Sequence, residues 1–272
     1  MTVAPSKFAD LGTRTLSALI LAVVAFAALY AGGLWTAVLL AVGAALMVWE
    51  VREMVVGQGR GLDPLGMFLS GTAALAVIVT ELTLMRYGVG VLAAGALIAF
   101  AVARRDGLQM IAGYAYVGVA MVCLDALRTD TKYGLVAVVW LIVIVIAADV
   151  GGYFGGRLIG GPKLWPRISP KKTWAGLGGG LVLAALVGLV FSGLTPGTFA
   201  FEVVTVSILT ALVSVGGDLG ESSVKRHYGV KDSSRLLPGH GGLLDRFDGL
   251  MAAGIVATLI TFARGQSVFI WT

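Results

Sequence analysis

Residues 216–250 read GGDLGESSVKRHYGVKDSSRLLPGHGGLLDRFDGL, a polar segment in an otherwise apolar chain. These 35 positions hold five of the fifteen acidic residues of the chain, together with five lysines or arginines and both histidines. The acidic residues are Asp218, Glu221, Asp232, Asp245 and Asp248. Carboxylates mixed with cations around a glycine-rich turn are typical of a site for a divalent metal and a polyphosphate. The segment therefore predicts phosphate chemistry.

The composition of the whole chain predicts the class of protein. Hydrophobic residues make up 58% of the 272 positions, charged residues only 13%, and the mean hydropathy is +0.92. Such a chain is too apolar for a soluble domain. We therefore expect an all-α polytopic integral membrane protein.

Nine windows of the sequence approach the roughly 20 apolar residues that a membrane-spanning helix needs. They are 15–32, 34–50, 65–82, 88–103, 108–126, 133–152, 174–193, 199–217 and 247–264. Only a Gly32-Gly33 hinge separates the first two, but together they are too long for one helix. The prediction is about nine transmembrane helices in one integrated membrane domain, with an N-terminal scaffold at 1–130 and a catalytic region at 131–272.

The distribution of cations predicts the orientation. If successive spans alternate in direction, 16 of the 20 lysines and arginines fall on the side of the N-terminus. The positive-inside tendency then places the N-terminus and the polar segment in the cytosol and the C-terminus on the opposite side. The net charge of +5 indicates attraction to anionic lipid headgroups. Nucleic acid is not expected as a partner, because no basic run carries interleaved aromatic residues.

Two places outside the polar segment carry charges at the ends of apolar runs. Asp149 closes the sixth span, where a carboxylate is costly unless it is paired, hydrated or bound to a cation. Asp149 is therefore a candidate functional residue, with an ion pair to Arg157 as the alternative. Glu50 and Glu53 flank Arg52 at the end of the second span, and the favoured interpretation is that they are charges at the membrane interface.

The loop RISPKKTWAGLGGG, residues 167–180, leads into the seventh span. Ser169, Lys171, Lys172 and Thr173 precede the new helix, where free backbone amides and the helix dipole favour an anion. The loop predicts a phosphate-binding site. A cluster of positive charge that only sets the topology is the alternative.

The spacing within residues 216–250 brings carboxylates together. Helical continuation of the eighth span would put Asp218, Glu221 and Lys225 on one face. The sequence LLPGHGG cannot stay helical, so Asp245 and Asp248 share a face in the opening turns of the last span. Carboxylates on both sides of the glycine turn can converge on one cation, for which magnesium is the natural choice. The alternative is a set of capping and ion-paired residues.

Residues 222–248, SSVKRHYGVKDSSRLLPGHGGLLDRFD, resemble the signature of the phosphatidate cytidylyltransferases, also called CDP-diacylglycerol synthases. A second pattern of that family, a span ending in Asp followed by Ser-Pro-x-Lys-Thr-Trp, is met by Asp149 and by residues 169–174. The resemblance covers about the last 125 residues. Ala175 departs from it, because the family is expected to have Glu or Gln there, and no role is carried over to that position.

The resemblance implies a magnesium-dependent nucleotidyltransferase of phospholipid biosynthesis. It would convert CTP and phosphatidate to CDP-diacylglycerol and pyrophosphate. We expect it to lie among the lipids of a prokaryotic-type cell (inner) membrane. A homodimer is a further expectation. Asp218 and Asp245 are expected to hold the metal, and a second cation is also considered. Further candidate ligands are Asp149, Glu221 and Asp248. Asp218 and Asp245 are also expected to act in catalysis, together with Lys225, Arg226 and Asp248. Expected to bind substrate are Ser169, Lys171, Lys172, Thr173, Lys231, His240, Arg246 and Asp149.

Two other classes of function stay open at this point. A different CTP-using membrane transferase or lipid kinase would share the metal and the phosphate chemistry, but a kinase would release CDP rather than pyrophosphate. An ion-coupled transporter would also use carboxylates in the membrane. The sequence has no obvious internal repeat, and its polar residues crowd one predicted face, which disfavours the transporter.

Overall fold

The computed structural model describes residues 7–57, 63–102, 107–130, 132–195, 199–234, 236–237 and 241–270, with side chains from Leu19 onward. Nine α-helices and one two-stranded hairpin make up this part of the chain. The helices are α1 (Lys7–Ala31), α2 (Leu34–Val56), α3 (Pro64–Leu82), α4 (Met85–Val102), α5 (Gly107–Arg128), α6 (Gly134–Leu158), α7 (Trp174–Leu194), α8 (Ala200–His227) and α9 (Leu244–Arg264). The strands are β1 (Lys163–Trp165) and β2 (Ser169–Thr173).

Eight of these helices, α2 to α9, are long and apolar enough to cross a membrane. In α1 the apolar stretch is Leu19–Ala31, within the part whose side chains are described. The expected all-α polytopic membrane fold is confirmed, and the turn at Gly32 and Gly33, both with positive φ, separates α1 from α2. The orientation of the termini and the division at residue 130 stay predictions.

The antiparallel hairpin between α6 and α7 is the departure from an all-helical fold. Its strands pair Lys163 with Thr173 and Trp165 with Ser169. Hydropathy did not predict strands here, but Pro162, Pro166 and Pro170 exclude a helix, and the extended chain that they favour can pair with itself. As a result the predicted phosphate loop is a strand, and its end is fixed against the start of α7.

Several helices extend beyond the apolar windows that predicted them, and three of them belong to the predicted catalytic region. Helix α6 continues past residue 152 to Leu158, α8 continues past residue 217 to His227, and α9 begins at Leu244, ahead of residue 247. A hydropathy window stops where polar residues begin, whereas the backbone hydrogen bonds of a helix continue through them. The polar residues of 216–250 therefore stand largely on rigid helix ends.

The helices pack in an order that brings distant parts of the sequence together. Helices α2 to α5 contact one another, α6 to α9 form a second group of neighbours, and α5 packs against α2 and α9. Fully buried side chains such as Tyr114, Trp140 and Met47 fill the core. The residues after α9 fold back, so that Phe269 is buried against the ring of Trp140 with the ring centroids 5.7 Å apart.

Helices α6 and α7 approach each other closely through glycines. A Cβ atom added to Gly179 would lie 2.5 Å from the carbonyl oxygen of Gly151, and one added to Gly155 would lie 2.7 Å from that of Ala175. Side chains do not fit at such distances, and small residues at helix interfaces are a common device of membrane proteins. The glycines at the end of α6 and the start of α7 are thus explained by close backbone contact between the two helices.

We predict that Gly179→Ala lowers the unfolding temperature of the purified protein, whereas Gly178→Ala does not. The two glycines are neighbours in α7, but a Cβ atom at Gly178 would meet nothing within 4 Å. Alanine favours a helix interior over glycine by roughly 0.5–1 kcal/mol, so the control variant should be unchanged or more stable. Thermal unfolding in one detergent measures both. Equal shifts in the two variants would contradict the close approach.

Candidate active site

Helix α8, the hairpin and α9 bring together the carboxylates and lysines that the sequence singled out. Asp218 on α8 pairs with Lys172 on β2, with Oδ2 2.5 Å from Nζ. Asp218 Oδ1 also accepts a hydrogen bond from the Ser222 hydroxyl at 3.2 Å. Both partners of the ion pair are partly exposed, so substrate can reach them. Asp149 on α6 is exposed, and its charge interacts with those of Lys172 and Asp218.

A second group of charges lies deeper, between α8 and α9. The Nζ atom of Lys225 is 2.7 Å from Asp245 Oδ1 and 3.3 Å from Glu221 Oε2. The side chains of all three residues are 11% exposed or less. Because α8 remains helical as far as His227, Glu221 and Lys225 reach the start of α9 together. The predicted helical continuation through Asp218, Glu221 and Lys225 is therefore confirmed.

Asp248 joins the two groups of charges. It interacts electrostatically with Asp218, Glu221 and Lys225, and its Oδ1 accepts the backbone N–H of Gly249 at 2.6 Å. Within the described part of the chain, neither oxygen of the buried Glu221 carboxylate accepts a hydrogen bond. Four carboxylates of α8 and α9 thus lie close to only two ammonium groups, those of Lys172 and Lys225.

These residues fit magnesium in one particular way. Among the residues that the structure describes, no three histidine, cysteine or acidic side chains are grouped as a ready-made metal site. Magnesium is usually bound through one or two carboxylates and completes its shell with water and substrate phosphates. The Glu221 oxygens, which accept no hydrogen bond, and the excess of carboxylates suit such an open site. Asp218 and Asp245 as its ligands stay a prediction.

Asp245 also has a local structural role. Its Oδ2 accepts the backbone N–H of Gly242 at 2.9 Å, and the backbone N–H of Ser233 lies 3.1 Å from Oδ1 and 3.0 Å from Oδ2. Together with Lys225 these contacts hold the start of α9 against the end of α8. The capping and ion-paired interpretation therefore describes part of what Asp245 does, beside any role toward a metal.

The remaining predicted site residues are not all brought together. Lys171 and Lys231 are exposed, and Arg226 donates to the carbonyl of Val230 at 3.2 Å, just beyond the end of α8. Thr173 is buried as the N-cap of α7, where its hydroxyl accepts the N–H of Gly176 at 3.0 Å. Ser169 lies on β2, half-buried. His240 lies outside the described residues.

Arg246 faces a different space from its neighbour Asp245. It lines an apolar cavity of about 520 Å³ between α1, α2, α5, α6 and α9. A larger cavity of about 930 Å³ lies between α2, α5, α8 and α9, and Glu221 forms part of its wall. Its other lining residues are mostly apolar, such as Val51, Val117 and Val213. Through Glu221, the cluster of four carboxylates therefore borders an apolar space large enough for part of a lipid.

The sequence interpretation missed Glu50. This residue is fully buried, and its carboxylate accepts hydrogen bonds from residues of the polar segment nearly two hundred positions later. Glu53 pairs with Arg52 at 2.5 Å, as expected of a charge beside that cation, whereas Glu50 does not pair with Arg52 and serves the polar segment instead. The place of both residues at the membrane interface stays a prediction. A hint was available in the sequence, since one cation, Arg52, stands between two acids. The pairing itself is long-range and no local pattern encodes it.

Comparison with known proteins places the chain among relatives. A family profile described as the cytidylyltransferase family matches residues 12–263. The phosphatidate cytidylyltransferase of Brucella suis biovar 1 (strain 1330) is 48% identical over 130 residues, which are 48% of this chain and 48% of that protein. The proteins of that name from Haemophilus influenzae and Bacillus subtilis are 44% identical over 129 residues (46% of this chain, 45% of the relative) and 42% identical over 123 residues (44% and 45%).

The matched segments thus span about half the length of these curated relatives and about half of this chain. The family profile covers much more, from α1 to nearly the end of α9. A match of that extent is more than a shared motif. The chain belongs to the cytidylyltransferase family.

Proposed function

We propose that this integral membrane protein transfers a cytidylyl group from CTP to phosphatidate, giving CDP-diacylglycerol and pyrophosphate. The observation that carries the proposal is the group of Asp218, Glu221, Asp245 and Asp248 with Lys172 and Lys225, set beside an apolar cavity of about 930 Å³. Such a site offers charges for a triphosphate next to room for acyl chains. The relatives' name, phosphatidate cytidylyltransferase, supports the same reaction.

The reaction joins two anions. An oxygen of the phosphatidate phosphate attacks the α-phosphorus of CTP, the bond from that phosphorus to the β-phosphate oxygen breaks, and pyrophosphate leaves with the electron pair. A phosphate monoester is already an anionic nucleophile at neutral pH, so no general base is needed. The chain must instead position the phosphates in line and reduce their repulsion. His240 would then bind phosphate or shape the loop.

The residues divide these tasks by their position. Lys172 stands on the partly exposed rim, where substrate phosphate would compete with Asp218 for its ammonium group. Lys225 is held between Glu221 and Asp245, so it presents a fixed positive charge deeper in the site. Magnesium, when bound by Asp218 and Asp245, would neutralise phosphate oxygens, with Asp149, Glu221 and Asp248 as further candidate ligands. A second cation in the site stays a further hypothesis.

An assay of the purified protein tests the proposal. Mixed micelles of detergent and phosphatidate are supplied with magnesium and CTP that is radiolabelled at the α-phosphate. We expect the label to enter a lipid and pyrophosphate to appear in equal amount. Release of CDP with a newly phosphorylated lipid would instead identify a lipid kinase. Without phosphatidate-dependent turnover, the proposed function is wrong.

We further propose that the site faces the cytosol and that the protein lies in the cell (inner) membrane of a prokaryotic-type cell. The support is that, if successive spans alternate in direction, 16 of the 20 lysines and arginines fall on the side of the site. The test is Lys163→Cys in a Cys123→Ser background, because Lys163 is exposed on β1. A membrane-impermeant thiol reagent should label it only after the cells are opened.

A homodimer is also proposed, and the mass of the protein in detergent micelles measures it.

A further inference from the structure

We propose that Glu50, in the half of the chain that the sequence assigned to a scaffold, is a positioning residue for the proposed cytidylyl transfer. It holds in place the residues on both sides of the glycine turn through which the chain enters α9. These residues, called here the α9 entry, are Ser233, Ser234, Gly242, Leu243 and Leu244. The inference rests on the proposed function for its effect on turnover, but the geometry behind it stands alone.

Both oxygens of the Glu50 carboxylate are engaged by the α9 entry. Oε1 accepts the Ser234 hydroxyl at 2.5 Å and the backbone N–H of Leu243 at 2.8 Å. Oε2 accepts the backbone N–H of Leu244 at 2.6 Å and the Ser233 hydroxyl at 3.4 Å. The side chain is completely buried, so all its hydrogen bonding must come from the protein. One residue of α2 thus binds both sides of the turn.

Glu50 also takes the place of a missing helix cap. Helix α9 begins after Leu243, whose apolar side chain makes no capping hydrogen bond. The first N–H groups of a helix need acceptors, and the helix dipole favours a negative charge there. Glu50 supplies the acceptor and the charge from another helix. The neighbouring cation Arg52 is directed elsewhere, since it pairs with Glu53 at 2.5 Å and with Asp63 at 2.6 Å.

The same residues connect Glu50 to the reacting end of the site. Ser233 uses its hydroxyl for Glu50 and its backbone N–H for Asp245. Gly242 donates its N–H to Asp245, while a Cβ atom on Gly242 would lie 2.8 Å from Glu50 Oε1. There is consequently no room for a side chain between the two carboxylates. Any shift of the α9 entry away from Glu50 moves the partners of Asp245, and with them Asp245 itself.

The test compares Glu50→Gln with Glu53→Gln in the same turn of α2. Glutamine keeps the volume of Glu50, but its amide NH₂ group faces donors and cannot satisfy them. We expect kcat for cytidylyl transfer to fall at least about tenfold while KM for CTP stays within about threefold, because a small misplacement of reacting groups lowers the rate of the chemical step. Glu53→Gln, which leaves the Arg52–Asp63 pair intact, should retain kcat within about twofold.

Hydrogen exchange provides the readout that does not depend on activity. In Glu50→Gln the amides of Ser233, Gly242, Leu243 and Leu244 should exchange at least about tenfold faster than in wild type, while amides in the middle of α8 should not change. A global loss of structure would accelerate both sets. Unchanged exchange at the α9 entry, or an unchanged kcat, overturns the inference.

A double-mutant cycle removes the remaining ambiguity. Ser234→Ala deletes the 2.5 Å hydrogen bond from the other side, and its effect on kcat should be at least threefold smaller in the Glu50→Gln background than in wild type. In the Glu53→Gln background its effect should be undiminished. If Glu50→Gln does not fold, the exchange of the Ser233 and Leu244 amides in Ser234→Ala decides alone: no change rejects the inference. If wild type lacks cytidylyl transfer, the proposed function fails while the exchange data still decide whether Glu50 holds the α9 entry.

Discussion

Purified Asp218→Asn protein is expected to turn over CTP at least about a hundredfold more slowly than wild type while unfolding at nearly the same temperature. Asparagine keeps the volume of the side chain and can still accept the hydrogen bond from Ser222. The ion pair with Lys172 is partly exposed, and pairs of that kind add little to stability. A hundredfold loss corresponds to about 2.7 kcal/mol of transition-state stabilisation, which is reasonable for a carboxylate that holds a metal.

Asp245→Asn is expected to lose turnover to a similar extent, but it should also unfold at a lower temperature. Its carboxylate is buried and binds Lys225, Ser233 and Gly242, so the substitution puts an amide in front of donors and leaves the lysine less well paired. Because Asp218→Asn and Asp245→Asn make the same chemical change, the sequence alone would predict equal stability for these two variants. Their expected difference follows from the contacts of Asp245 at the start of α9.

Magnesium gives a second measurement on the same proteins. A ligand stabilises only the state that binds it, so magnesium should raise the unfolding temperature of wild type and do so less in either variant. Glu202→Gln, in the first turn of the same helix α8, is the control and should keep normal turnover and the normal magnesium response. If Asp218→Asn and Asp245→Asn both behave like this control, the proposed metal centre is wrong.

What could be predicted from the sequence was the part that local patterns encode. The helices follow from runs of apolar residues, because the bilayer fixes the length of a span. The common face of Asp218, Glu221 and Lys225 follows from the helical repeat once α8 is taken to continue. The break before α9 follows from a proline and three glycines in one short segment. These steps were enough to place the acidic residues at one site.

What could not be predicted depends on contacts between distant positions. Nothing near Glu50 in the sequence shows that its partners are Ser234 and Leu244, because the approach of α2 to α9 is set by the packing of α5 between them. The pairing of Lys172 with Asp218 has the same origin, since the hairpin that carries Lys172 forms only when β1 and β2 meet. For this reason the sequence named Lys172 as a phosphate ligand without showing which carboxylate holds it.

The buried group of Lys225, Glu221 and Asp245 leads to the second large effect. Lys225→Met removes the cation that lies between two carboxylates with side chains no more than 7% exposed. Breaking a buried pair in this way leaves uncompensated charge and typically costs about 3–5 kcal/mol of folding free energy. Methionine retains most of the length of the lysine stem, so the loss of the charge, rather than of packing, should dominate.

We therefore expect Lys225→Met to lower the unfolding temperature strongly and to reduce turnover at least about a hundredfold. The double variant Lys225→Met/Glu221→Gln separates the two effects. Removing one of the unpaired carboxylates should restore part of the stability, whereas turnover should stay low because the fixed positive charge is still missing. Lys163→Met, at an exposed position on β1, controls for the loss of a lysine and should behave like wild type. Should the double variant regain turnover along with stability, Lys225 serves the fold alone and the phosphates of the substrates are neutralised elsewhere.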